Sequence, residues 1–203
     1  MNILELIKES HGLAKEKGFW ENNKNRHEDI MFIIANLGEV AKTHRKKKFA
    51  NWTLYNDSLK NIPSSNLSKE NTKSFNNYFQ VFIKDTFEDE ITNVILRITD
   101  FIGGNNINII KSNEWIEKYV QMDLDDFFRS VAPSEKYCGN IGEWMNKAVI
   151  ERVYRSNESD MGLMHILFYL GSIIEEFNID IEKYIVTKIE FNRTRPVMYG
   201  REY

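Results

Sequence analysis

One cysteine, three prolines and ten glycines in 203 residues already exclude much. The lone Cys138 rules out an internal disulfide and any multi-cysteine zinc site. So few prolines and glycines cannot supply the frequent turns of an all-β protein. No apolar run approaches membrane-spanning length, and the N-terminal Met1-Asn2-Ile3-Leu4-Glu5 lacks a charged-then-apolar signal pattern. A cytoplasmic chain is expected. Lysine and arginine number 27 against 30 acids, a net charge of −3, so no broad basic surface awaits duplex nucleic acid. The basic run Arg45-Lys46-Lys47-Lys48 is short and reads as a solvated helix end, with phosphate contact as the alternative.

What remains is helical. Ile3, Leu4, Ile7, His11 and Ala14 predict a helix over 3–17, stopped at Gly18, with Phe19-Trp20 as an apolar anchor beyond it. Ile30, Ile33, Ile34, Leu37, Val40 and Ala41 mark a second helix over 27–47. Residues 49–73 are polar and read as a long connection containing Ile62-Pro63-Ser64. A third helix is expected over 74–103, bending near Asp85-Thr86 and stopped by Gly103-Gly104. Short helices at 114–121 and 124–131, a break at Ala132-Pro133-Ser134 and longer helices at 139–156 and 160–177 follow. Asp180 reads as the N-cap of a last helix over 181–192. The expected fold class is an all-α bundle forming a single domain over 1–203.

Polar residues at helical spacing are the candidates for chemistry. Asn36 and Glu39 are three apart on the second helix, and Glu90 and Asn93 are three apart on the third. Each pair shares a helix face, so both pairs can look into one groove. Glu90, Asn93, Arg97 and Asp100 continue as a stripe, which an ordinary solvated face also shows. Asp100 stands about 15 Å along the axis from Glu90, and Asp89 points a quarter-turn away. The four histidines are scattered, there is no glycine-rich phosphate loop, and Trp144 reads as a core residue.

The segments around these residues resemble the MazG-like nucleoside triphosphate pyrophosphohydrolases. The segment Met31-Phe32-Ile33-Ile34-Ala35-Asn36-Leu37-Gly38-Glu39 is similar to the family's first acidic helix. Phe87-Glu88-Asp89-Glu90-Ile91-Thr92-Asn93 is similar to its partner. Lys15-Glu16-Lys17-Gly18-Phe19-Trp20, with Asn25 and Glu28, resembles the start of the family's bundle. Lys188-Ile189-Glu190-Phe191-Asn192-Arg193-Thr194-Arg195-Pro196 resembles its closing helix, and Tyr199-Gly200-Arg201-Glu202-Tyr203 has tyrosine where histidine is usual. The likeness spans about 5–47, 84–103 and 160–203, leaving 105–159 as an insertion.

The resemblance implies hydrolysis of a nucleoside triphosphate to monophosphate and pyrophosphate, with magnesium held by four acids. It places the metal ligands at Asn36, Glu39, Glu90 and Asn93, with Glu39 and Glu90 catalytic. It sets Lys188, Asn192 and Arg195 near phosphates or base, and implies a homodimer. Two of the four acids are asparagine here, so the cluster falls from a nominal −4 to −2. One unit-charge pair at 4 Å is worth about 4 kcal/mol at an effective dielectric of 20, so magnesium binding should weaken severely. The expectation is nucleotide binding with hydrolysis weak or lost. The alternatives are a magnesium-dependent enzyme using Glu39 and Glu90, and a non-enzymatic dimeric interaction protein.

Overall fold

The computed structural model describes residues 1–21, 25–60, 69–112, 114–133, 139–154 and 159–197. Cys138, the Ile62–Asn66 run and the Tyr199–Tyr203 motif lie outside them. Every regular element among the described residues is a helix. In chain order these are α1 (Ile3–Glu16), α2 (Arg26–Arg45), α3 (Trp52–Leu59), α4 (Lys69–Phe82), α5 (Phe87–Gly104) and α6 (Ile109–Ser112). After a 3-10 turn at Glu114–Lys118 come α7 (Leu124–Val131), α8 (Ile141–Tyr154), α9 (Ser159–Glu176) and α10 (Ile181–Thr194). No helix among the described residues is long and apolar enough to cross a membrane.

Local chemistry sets the boundaries. At the start of α1, Asn2 Oδ1 accepts the Glu5 amide while Glu5 Oε2 accepts the Asn2 amide, a reciprocal cap that satisfies two donors. Gly18, at φ 81°, ends the helix with the Phe19 amide bonded back to the Ala14 carbonyl, a turn that favours a residue without Cβ. Asp180 caps α10 by accepting the Lys183 amide, as its position in the sequence suggests.

Two expectations change. The polar stretch 49–73 contains the start of α4, from Lys69, and a helix of its own, α3, because Asn51 caps it and Trp52, Tyr55 and Leu59 recur on its inner side. Tyr55 is buried, and Trp52 packs edge-on against Tyr184 of α10. The bend anticipated near Asp85-Thr86 is a full break. Asp85 adopts φ 57°, and the Thr86 side chain caps a new helix by accepting the Asp89 amide.

Helix α5 is the axis of the bundle. Its buried residues occupy nearly the whole circumference, including Ile91, Val94, Ile95, Ile98 and Ile102, because α1, α2, α9 and α10 all pack on it. The segment 105–159 feeds the same continuous core: Leu124, Phe127, Phe128, Ile141 and Trp144 are buried with it. Trp144 is fully enclosed, and its indole N–H donates to the Tyr169 carbonyl at 2.8 Å.

Helices α7 and α9 approach closely at Gly171. A Cβ built there would stand 2.4 Å from the Phe128 carbonyl oxygen, which is backbone and cannot swing away. Gly171→Ala should therefore cost about 1–3 kcal/mol, an overpacking penalty despite the gain in helix propensity. Urea unfolding of the two chains measures it.

Candidate functional site

Helices α2 and α5 run antiparallel, and three contacts fix their register. The Arg26 guanidinium lies 5.3 Å from the Phe101 ring, the Arg97 guanidinium 5.5 Å from the Phe32 ring, and the His44 ring 5.2 Å from the Phe87 ring. Stepping from Phe32 and Arg97 by one turn in opposite directions brings Asn36 level with Asn93. One further turn brings Glu39 level with Glu90. The two pairs singled out in the sequence thus occupy the same height on neighbouring helices.

Their side chains are otherwise engaged. Asn93 Nδ2 donates to Glu90 Oε2 at 3.1 Å, so the amide serves the neighbouring carboxylate. Glu39 turns to Lys42, whose Nζ reaches its two oxygens at 3.0 and 2.7 Å on a half-exposed surface. Glu90 is buried, and desolvation pushes its pKa above the usual carboxylate range, while the Asn93 hydrogen bond and the Lys188 charge pull it back.

Lys188 does not face a phosphate groove. Its Nζ donates to Asp89 Oδ1 at 2.6 Å, with the two side chains 7% and 1% exposed, and it sits 5.3 Å from the Phe79 ring. The other Asp89 oxygen accepts the Asp85 amide at 2.9 Å. Asp89 does turn away from the α2 side, as its quarter-turn offset implies, and the direction is toward α10. Asn192, one turn beyond Lys188, is also buried, and its Oδ1 has no hydrogen-bond donor among the described residues. Arg195 is half-buried at the end of α10, its guanidinium 5.8 Å from the Phe191 ring. Its carbonyl, with that of Arg193, accepts from buried Lys17 Nζ at 2.8 and 2.7 Å. Asp100 accepts from Trp20 Nε1 at 2.8 Å and meets His11 Nδ1 at 3.1 Å, so it anchors α1 and the following turn.

Among the described residues, Asp85, Asp89 and Glu90 form an acidic trio with oxygens within 4.8 Å of one another; Glu39 is outside it. Lys188 and the Asp85 amide already satisfy Asp89, Lys84 Nζ meets Asp85 at 3.0 Å, and Asn93 satisfies one oxygen of Glu90. Magnesium prefers several charged oxygens free of competing cations. The residues present therefore do not fit a tightly held magnesium ion. A shallow cleft one turn further along the helix pair is lined by Asp29, Ile33, Arg97, Asp100 and Phe101.

The signal for the Asp89–Lys188 pair was present in the sequence. Lys188 falls on the apolar face of α10 with Ile181, Tyr184, Ile185 and Ile189, and a lysine there needs a buried acid. Lys17 gave less warning, since a helix-terminal lysine is ordinarily solvated. Searches against protein-family models, curated proteins and solved structures return no match to the chain.

Two stability predictions follow from these charges. Lys188→Met strands Asp89 in the core and should cost about 3–5 kcal/mol. Asp89→Asn/Lys188→Met should regain most of that loss, because asparagine can still accept the Asp85 amide. Urea midpoints of the three chains decide it. Glu90→Gln should stabilise the protein at pH 7. A carboxyl with a raised folded-state pKa binds its proton more tightly in the native state, so its ionisation destabilises the fold as pH rises. The expected gain is about 2–4 °C in Tm at pH 7, for roughly 1 kcal/mol, and it vanishes below about pH 4.3.

Proposed function

We propose that this chain is a cytosolic nucleotide-binding protein on a MazG-like helical scaffold, with magnesium-dependent pyrophosphohydrolase activity weak or lost. The observation that carries the reading is the α2–α5 register, which sets Asn36 level with Asn93 and Glu39 level with Glu90. On this reading the four positions carry half the nominal charge of a four-acid site. Divalent-metal chemistry suffers from that change, because the remaining carboxylates are few and engaged.

Binding suffers less. A phosphate chain meets two fewer negative charges than in a four-acid site, which offsets part of the missing metal. Asn192 offers a buried acceptor with no donor among the described residues, a lack costing about 1–3 kcal/mol that a ligand N–H, hydroxyl or water can fill. Lys188 is committed to Asp89, so its role here is to position α10 and Asn192 rather than to hold phosphate. Arg195 and Arg97 supply the guanidinium groups suited to phosphate oxygens.

Pyrophosphate release from the common nucleoside triphosphates, with magnesium or manganese, should stay well below about one turnover per second. A rate at or above that value overturns the impaired-site reading. Titration calorimetry should give heat with at least one nucleotide, and Asn192→Leu should weaken that binding about tenfold. No heat with any nucleotide overturns the binding claim. Asn36→Glu/Asn93→Asp should raise pyrophosphate release at least about tenfold by restoring the metal charge.

A further inference from the structure

The basic run Arg45-Lys46-Lys47-Lys48 has no part in the site just described. From Val40 to Asn56 the chain carries five lysines and arginines and no acid, in a protein whose net charge is −3. Arg45, Lys46, Lys47 and Lys48 are all exposed, and none forms an ion pair among the described residues.

These cations do not hang from a loose end. The Lys47 amide bonds back to the His44 carbonyl at 2.9 Å and the Lys48 amide to the Thr43 carbonyl at 3.0 Å, a turn that sets its middle residue in the left-handed conformation. The same two bonds end α1, α5 and α9, where the left-handed residue is Gly18, Asn106 or Asn178. Glycine and asparagine tolerate that conformation; lysine is strained by it. Lys47 nevertheless adopts it, at φ 53°. The dipole of α2 does not require Lys47, since Lys42 and Arg45 already stand in the last turn. Position 47 thus carries backbone strain and an outward charge that no acid among the described residues uses.

Phe49, just beyond the run, is 45% exposed yet held in place. Its ring meets His44 at 6.2 Å and Phe87 at 5.8 Å, both edge to face. The backbone beside it is pinned as well. The Lys48 carbonyl accepts the Phe87 amide at 2.7 Å, and the Asn51 amide donates to the Phe82 carbonyl at 3.0 Å. A fixed aromatic ring beside four cations suits a polymer that carries phosphates and flat bases together. A duplex keeps its bases stacked on each other, and a lipid headgroup offers charge with no base to stack.

We propose that Arg45 to Phe49, at the end of α2, bind single-stranded nucleic acid, the cations taking phosphates and Phe49 stacking on a base. This binding does not depend on the α2–α5 groove accepting a nucleotide.

Fluorescence anisotropy of the full chain with labelled single strands of about 12 nucleotides, one DNA and one RNA, tests it. Binding of either strand is expected. With four phosphate contacts, affinity should fall about fiftyfold as salt rises from about 50 to 200 mM. Lys46→Gln/Lys47→Gln should weaken binding at least about tenfold at the lower salt and reduce the salt effect to about sevenfold. Phe49→Leu keeps an apolar contact with His44 and Phe87; it should weaken binding about tenfold and leave the salt effect unchanged. Lys47→Gly should raise Tm by about 2 °C while weakening binding, because the strain is relieved and the charge is lost. A fall in Tm there means that Lys47 serves the helix end, and overturns the proposal. So does the absence of binding up to about 100 μM protein. Binding that the lysine or Phe49 substitutions leave unchanged, or that a duplex or a phosphatidylserine vesicle matches, overturns it too.

Discussion

A single buried ion pair, Asp89 to Lys188, ties the central helix to the closing one. Its attraction is strengthened by the low dielectric around it, and so is the cost of stripping both ions of water. What makes the arrangement workable is that each oxygen of the carboxylate accepts a hydrogen bond. One oxygen holds the ammonium, the other holds the Asp85 amide, and the Asp85 backbone is thereby kept in the left-handed conformation that turns α4 into α5. The Thr86 cap and the Glu88 bond to the Ala50 amide complete the junction. The start of α5, and with it the height of Glu90 and Asn93 opposite α2, follows from that one carboxylate.

The same pair explains why the neighbouring acids are poor metal ligands. A lysine inserted beside three carboxylates does part of what a bound cation would do for their repulsion. Glu90 is left short of solvent and short of charge partners, with an asparagine as its nearest donor. An aspartate at position 93 would have faced Glu90 as a second negative charge. Asparagine carries no such charge and adds a hydrogen bond, which favours the fold.

Helix content was legible wherever apolar residues recur at 3.6-residue spacing, as in α1, α2, α5 and α9. It was illegible in α3, where only Trp52, Tyr55 and Leu59 mark the inner side among Asn, Asp and Ser residues that usually signal a loop. For the candidate site, spacing put Glu90 and Asn93 on one face, and the two are hydrogen-bonded. Spacing could not decide the direction of a long side chain. The place of Lys188 on the apolar face of α10 calls for a buried acid, but only the position of α5 relative to α10 identifies it as Asp89. Glu39 illustrates the converse: its nearest partner, Lys42, was in plain view one turn away.

Lys17 joins helices that lie at opposite ends of the sequence. It reaches from the end of α1 to the last carbonyls of α10, and Arg193 of α10 meets Glu9 of α1. Carbonyls at a helix end need donors, and here the donor comes from about 180 residues upstream. During synthesis, α1 emerges long before the helix it is built to close. Its apolar face packs on α5, but its buried lysine must wait, exposed or provisionally paired, until α10 leaves the ribosome. The bonds from Lys17 and Glu9 to α10 therefore form only after nearly all of the chain between them has been made.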